Sequence, residues 1–117
     1  MTSSDPLSLV RSDPVQMQRI AFAQFDFDLI APNRRYAIGV RPGHVELRSG
    51  GKPDFTIEAA GPVWSEFAKA NPRPGHNDVV AMIESGHAQF AGDALPFFRH
   101  LFFVKAVVAA LFKGGAR

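Results

Sequence analysis

Apolar and polar side chains alternate through much of residues 25–59, and the spacing changes to that of helices at Gly61. A period of two is typical of strands that bury one face and expose the other to water. The alternating runs are residues 25–29, 36–40, 45–47 and 55–59. Turn-forming residues separate them, and Pro42-Gly43 suits the central positions of a type II turn. We therefore predict four short strands joined as an antiparallel meander, with one apolar and one solvated face.

The residues before this sheet give a less regular pattern. Residues 1–14 are polar and contain two Asp-Pro steps, so we expect a loosely held arm there. Ile20 and Phe22 are out of phase with the first strand, which indicates a bulge near Ala23. A helix over residues 15–24 is the alternative. Because the first ten residues lack the basic and apolar regions of a signal peptide, we expect a cytoplasmic protein.

After the fourth strand, apolar residues recur at helical spacing. One helix is predicted from Val63 to Ala68, and the proline-rich residues 71–75 end it. A second helix follows Asn77, which is a good N-cap, and Gly86 is placed to end it. Residues 87–93 are extended again, with small and apolar side chains on one face.

The last predicted element is a single helix over residues 95–112, about 27 Å long if it is continuous. Apolar residues occur almost all round it, relieved only by Arg99, His100 and Lys105. It is too short and too charged for a membrane span. A helix of this kind must be covered on more than one side, so lipid, ligand or a partner protein would supply the missing cover.

Length and composition indicate one α+β domain that spans residues 1–117. The absence of cysteine excludes disulfides, cysteine-based zinc sites and cysteine nucleophiles. The formal net charge is +2 and the basic residues are scattered, which argues against nucleic-acid binding. Eleven Phe stand against one Tyr and one Trp, so the interior is either a packed aromatic core or an apolar cavity.

No catalytic or metal-binding constellation emerges from the polar residues. Asp26 and Asp28 share one face of a strand, opposite the apolar face, and we expect that face to be solvated. None of the histidines has a ligand partner at a neighbouring helical or strand position, so we expect all of them in loops or at the surface. They are His44, His76, His87 and His100. We therefore predict a protein that is not an enzyme and needs no metal or cofactor.

Three stretches between about Arg19 and Leu101 carry a family resemblance. They are residues 23–27 with the following hairpin, residues 53–59 leading into a helix, and the more specific Gly-His-Ala-Gln-Phe-Ala-Gly-Asp of residues 86–93. In their order and spacing they resemble the sterol carrier protein 2-like lipid-binding family.

The resemblance implies a five-stranded, mostly antiparallel sheet covered by helices on one face, with an apolar tunnel between the layers. It also implies binding of sterols, fatty acids or acyl chains without chemistry on them. Some members of the family act as modules of, or beside, larger enzymes. Two features differ from the family pattern. The N-terminal helix is not evident in residues 1–18, and the C-terminal helix is longer and more apolar than usual.

If the interior is hollow, its lining should come from inward helix and strand positions. The candidate ligand-binding residues are Trp64, Phe67, Val80, Met82, Ile83, Phe90, Phe98, Leu101 and Phe102. Ordinary core packing is the alternative for each of them. Arg99 or His100 would meet a ligand carboxylate, unless both belong to a solvated face. The second hypothesis is an interaction module whose apolar last helix forms a homodimer or docks on a partner enzyme.

Overall fold

The computed structural model describes residues 5–113, which form a five-stranded sheet and six helices. The strands are β1 (Phe25–Ala31), β2 (Arg34–Arg41), β3 (His44–Leu47), β4 (Phe55–Ala59) and β5 (Ala88–Gly92). The helices are α1 (Ser8–Arg11), α2 (Pro14–Arg19), α3 (Gly61–Phe67), α4 (Val79–Glu84), α5 (Ala94–Arg99) and α6 (Leu101–Phe112). The predicted α+β class is confirmed.

The strands lie in the order β3-β2-β1-β4-β5, and β1 pairs with β4 in parallel while the other pairs are antiparallel. The mostly antiparallel sheet is confirmed, but the four-strand meander is wrong. Only β1, β2 and β3 form a meander, and the chain then crosses to the far side of β1. Asp54 fixes the crossing, since its carboxylate accepts from Asp26 N and its own N–H donates to Asp26 O, both at 2.8 Å.

One face of the sheet carries the core, as the alternation predicted. Phe25, Phe27 and Leu29 of β1 are buried, together with Phe55 and Ile57 of β4. Against them α6 buries Phe103, Val104, Val107 and Val108. Each large apolar side chain removed from water in this way contributes roughly 1.5–3 kcal/mol to folding.

The N-terminal region differs from the predicted arm. Leu7 and Val10 belong to the core, and Arg11 Nε donates to the Val45 carbonyl at 2.9 Å. The arm was wrong for residues 5–14, and residues 1–4 lie outside the described part. The bulged strand from Ile20 was wrong as well, because residues 20–24 form turns and irregular backbone and β1 begins at Phe25. The helix α2 agrees in part with the alternative of a helix over residues 15–24, although α2 ends at Arg19.

The C-terminal helix is not continuous, contrary to prediction. His100, with φ −116° and ψ 33°, ends α5 and begins α6. Residues six apart point in directions about 120° apart around an unbroken α-helix. Phe97 and Phe103 are both almost fully buried. The break at His100 lets both side chains enter the core.

The second face of the sheet is covered by arginine side chains and is not simply solvated. The Asp28 side chain is only 3% exposed and pairs with Arg35 at 2.7 Å and with Arg48 at 2.8 Å. The prediction of a solvated carboxylate was therefore wrong for Asp28. Asp28 can be covered in this way because Gly39 has no side chain. The Arg48 side chain crosses Gly39, where an added Cβ would lie 3.0 Å from Arg48 Cγ.

Replacing Asp28 by alanine should destabilise the fold by about 2–4 kcal/mol, because it leaves the guanidinium of Arg48, 9% exposed, without its carboxylate. Asp26→Ala is the matched control. Its ion pair with Arg41 is partly exposed, so its loss should cost less than about 1 kcal/mol. Urea unfolding of both variants measures the difference. Equal losses would contradict the buried role of Asp28.

Glu66 should make the stability of the fold depend on acid pH. Its carboxylate accepts from Lys69 Nζ and from Arg73 N, both at 2.9 Å, and these hydrogen bonds lower its pKa from 4.5 to about 2. Because the folded pKa lies below the unfolded one, the stabilisation is present above pH 4.5 and is lost as the pH falls towards 2.

Thermal unfolding midpoints across this pH range test the role of Glu66. The midpoint of Glu66→Gln should lie below that of the wild type at neutral pH, and the two should converge in acid. Glu58→Gln, at an exposed position of β4, is the control and should run parallel to the wild type. A gap for Glu66→Gln that stays constant down to the lowest pH would refute the assignment.

Candidate functional site

Aromatic rings fill much of the space between the sheet and its helices. Phe27 of β1 stacks on Phe25 at 5.7 Å and on Phe55 of β4 at 5.1 Å, and Phe55 stacks on Phe90 of β5 at 5.4 Å. Phe97 of α5 closes the row edge-on, 5.5 Å from Phe55. The phenylalanines along this row therefore make packed core.

A second aromatic group lies at the C-terminal end of α6. The ring of Phe112 lies flat on Trp64 with centroids 3.9 Å apart, and Tyr36 meets Phe112 edge-on at 5.6 Å. Trp64 Nε1 donates to the Ile30 carbonyl at 3.1 Å, which fixes the indole against β1. Phe67 packs edge-on against the same indole at 6.1 Å.

A cavity of about 370 Å³ opens to solvent beside this group, and we call it the Trp64 cavity. Its apolar wall is formed by Trp64, Phe112 and Leu111, and its polar rim by Asn33, Arg34 and Ser65. Ala31, Pro32, Gly61 and Ala68 complete the lining. The volume lies within the usual range of small-molecule sites.

The helix α6 beside this cavity is held almost entirely by apolar contacts. Its polar contacts are an ion pair of Lys105 with Asp78 at 3.8 Å and the Arg19 guanidinium 5.5 Å from the ring centre of Phe102. Just past its end, the Lys113 ammonium lies 4.5 Å from the ring centre of Phe67. Within residues 5–113, no side-chain hydrogen bond ties α6 to the rest of the protein. Its inner face can therefore exchange protein contacts for contacts with another apolar molecule without breaking hydrogen bonds.

The predicted ligand-binding residues do not lie together in the structure. Trp64 lines the Trp64 cavity and Phe67 packs behind it, while Met82 is buried in the common core. Those that are partly buried and pack against that core are Val80, Ile83, Phe90 and Leu101. Phe98 and Phe102 lie at the outer surface, outside the space between sheet and helices where they were expected. Ligand binding by the set stays a prediction.

Several lining residues of the Trp64 cavity escaped the sequence reasoning. Phe112 is the last residue of the last predicted helix, but its place beside Trp64 depends on packing across 47 intervening positions, which local spacing does not report. Asn33 and Arg34 lie between the first two predicted strands, and only the tertiary structure brings them to the mouth of the cavity.

The histidines occupy different environments. His76 lies in the loop between α3 and α4, as predicted, but it is only 7% exposed and its ring stacks on His87 at 4.1 Å. Its Nδ1 has no hydrogen-bond partner among residues 5–113. His44 is exposed and lies 3.0 Å from Glu46.

His100 lies at the helix break with its ring stacked on Phe25 at 4.8 Å. Burial, with a smaller contribution from the charge of Arg99, lowers the pKa of the imidazole. Between residues 5 and 113, no three His, Asp or Glu side chains meet as possible metal ligands. In the same part of the chain, no helix has the length and apolar character needed to cross a membrane.

Neither the known family models nor the curated proteins match this chain. Among solved structures, sterol carrier protein 2 superposes with a TM-score of 0.63 at 12% identity, over 91% of this chain and 89% of that one. The UbiJ-SCP2 ubiquinone synthesis protein superposes with a TM-score of 0.55 at 13% identity, over 86% of this chain and 83% of its own.

A larger enzyme contains a similar unit. The sec-alkylsulfatase Pisa1 from Pseudomonas sp. superposes with a TM-score of 0.53 at 18% identity, over 76% of this chain. This chain covers only 14% of that enzyme. Identities this low establish a common fold and nothing finer. The five-stranded mixed sheet, the helices that cover it and these superpositions show that the chain has the sterol carrier protein 2-like fold.

Proposed function

We propose that this protein binds one apolar or lipid-like molecule, such as a sterol, a fatty acid or an acyl chain, between its sheet and α6, and does no chemistry on it. The observation that carries the proposal is the Trp64 cavity, with its apolar wall, its polar rim and its position beside a helix held by apolar contacts. The names of the structural neighbours, sterol carrier protein 2 and UbiJ-SCP2, support the same ligand class.

An amphiphile with one polar end fits the chemistry of this cavity. Its head would lie among Asn33, Arg34 and Ser65 at the rim, where a guanidinium can pair with a carboxylate or phosphate. Its chain would lie against Trp64 in the place that Phe112 now occupies. Each methylene removed from water contributes about 0.8 kcal/mol, so a long chain binds usefully without further polar contacts.

Entry of a chain requires the C-terminal turns of α6 to move away from β1 and β2. The movement does not require side-chain hydrogen bonds to be broken, because the buried face of α6 consists of Phe and Val side chains. The non-helical His100 at the start of α6 provides a place for the chain to bend. The interior would then be filled by protein side chains in the empty state and partly by ligand in the bound state.

The lining of the cavity supports a binding role over catalysis. It includes one hydroxyl, one amide and one guanidinium, but no carboxylate or imidazole, which are the usual general acids and bases. A dimer through α6 has less support, since Phe103, Val104, Val107 and Val108 of that helix are already covered within the chain, although Phe102 is exposed.

Filling the cavity should abolish binding without disturbing the fold. Ser65 is exposed at the rim, and Ser65→Phe would place a ring in the space proposed for the ligand. We expect the affinity for oleate to fall at least about tenfold, because the chain loses several methylene contacts. The single Trp reports binding directly, since displacement of Phe112 changes the surroundings of its indole.

Ala70→Phe is the control for Ser65→Phe, since Ala70 is exposed in the same region but does not line the cavity. It should bind oleate like the wild type. Native mass spectrometry of the purified wild type should also detect a co-purified lipid-like molecule. The proposal would be contradicted if the wild type carries no lipid and its Trp64 emission does not change when oleate is added.

The rim predicts selectivity for the head group. Arg34→Gln should weaken palmitate binding roughly fivefold, because a charge-assisted hydrogen bond to the carboxylate is lost. Binding of the uncharged alcohol of equal chain length should stay unchanged. Both affinities can be measured by competition with a fluorescent fatty acid. An equal loss for the acid and the alcohol would show that Arg34 supports the cavity wall and does not contact the head.

A further inference from the structure

Four large apolar side chains are exposed near the junction of α2, β1 and α5. Their exposed fractions are 97% for Phe22, 59% for Leu95, 62% for Phe98 and 65% for Phe102. We call these residues the Phe22 patch. Phe22 and Leu95 line a common depression of about 440 Å³, and Phe98 follows Leu95 by one turn of α5. Phe102 lies beyond the break at His100 and adjoins the depression through Arg19, which lines it and contacts the Phe102 ring.

Cations surround the patch. The Arg19 guanidinium lies 5.5 Å and the Lys105 ammonium 5.7 Å from the ring centre of Phe102. Arg19 and Arg99 both line the depression between Phe22 and Leu95. Of the acids nearby, Asp78 caps α4 and also pairs with Lys105 at 3.8 Å, and Asp93 caps α5 by accepting from Leu95 N. Arg19 and Arg99 form no ion pair within residues 5–113. The rim of the patch is therefore positive.

The exposed apolar side chains and the cations around them together limit the kind of surface that the patch can bind. Soluble proteins seldom expose several large apolar side chains together unless another surface covers them. A second copy of the chain would bring Arg19, Arg99 and Lys105 close to their own counterparts, so like charges oppose that contact. Phe22 lies at the edge of the depression but is 97% exposed, so it projects into solvent and is not enclosed by a groove. A deformable surface that carries negative groups and has an apolar layer beneath them can bind both the rings and the cations.

We propose that the Phe22 patch docks the protein on the surface of an anionic lipid bilayer. Phe22, Phe98 and Phe102 enter the boundary between head groups and acyl chains, and the surrounding cations contact the lipid phosphates. Docking of this kind does not require a ligand in the interior, so it goes beyond the proposed function and can be tested separately. It would place the protein where an apolar ligand is collected or released.

Flotation with vesicles tests the docking. We expect the wild type to float with vesicles of equimolar phosphatidylcholine and phosphatidylglycerol at low salt, and to stay behind with phosphatidylcholine alone. The double variant Phe22→Ser/Phe98→Ser should partition at least about tenfold more weakly into the anionic vesicles. Arg19→Gln/Arg99→Gln should weaken partition by a similar factor, since each cation near an anionic surface contributes roughly fivefold.

Two control variants remove the same chemistry at other positions. Leu47→Ser takes away an exposed apolar side chain on the edge strand β3, and Lys52→Gln takes away an exposed cation. Both should float like the wild type. All four altered residues of the test variants lie at the surface or in partly exposed positions, and unchanged thermal unfolding confirms that these variants fold.

Several results would overturn the inference. A wild type that does not float with the anionic vesicles, or a Phe22→Ser/Phe98→Ser variant that floats equally well, excludes docking through this patch. A dimer in solution that becomes monomeric in the same variant, without vesicle binding, assigns the patch to self-association. Oleate titration of Trp64 without vesicles keeps the two proposals apart, because the patch variants should still bind oleate if the interior site exists.

Discussion

Phe27 of β1 lies in register with Phe55 of β4, and their rings stack 5.1 Å apart across a parallel strand pair. This contact joins the N-terminal meander to the strands and helices that follow it. It forms only because residues 48–54 carry the chain past β1, so that β4 and then β5 extend the sheet on the far side. The aromatic row from Phe25 to Phe90 and the packing of α5 depend on that crossing.

The same apolar face makes a lipid-binding role physically reasonable without a permanently open tunnel. The interior is occupied by protein side chains, and α6 completes it mainly through Phe and Val residues. Contacts of this kind have little directional preference, so an acyl chain can replace them at similar free energy. Polar groups are kept to the rim, where Asn33, Arg34 and Ser65 remain hydrated in the empty state. A carrier built in this way shields its own apolar surface from water when no ligand is bound.

The break at His100 separates two tasks within the C-terminal segment. Beyond the break, the buried residues of α6 close the interior, while Phe98 and Phe102 on either side of it face outward among cations. A straight amphipathic helix would have presented a single apolar stripe to a single surface. Bending the segment gives it an inward face for the core and an outward face for contact with a bilayer.

Local sequence determined the α+β class, the bounds of β4, those of β5 to within one residue, the helix stop at Gly86 and the apolar face that begins with Phe25. These features depend on neighbours a few residues apart, through hydrophobic period and turn chemistry. Only the tertiary structure decided that β4 joins β1 in parallel, that Asp28 is buried beneath Arg48, and that Phe112 covers Trp64. Each of these depends on surfaces brought together from distant parts of the chain. The apolar pattern of residues 95–112 likewise marked them as a helix that needs cover, and packing alone decided which of its rings face the core and which face water.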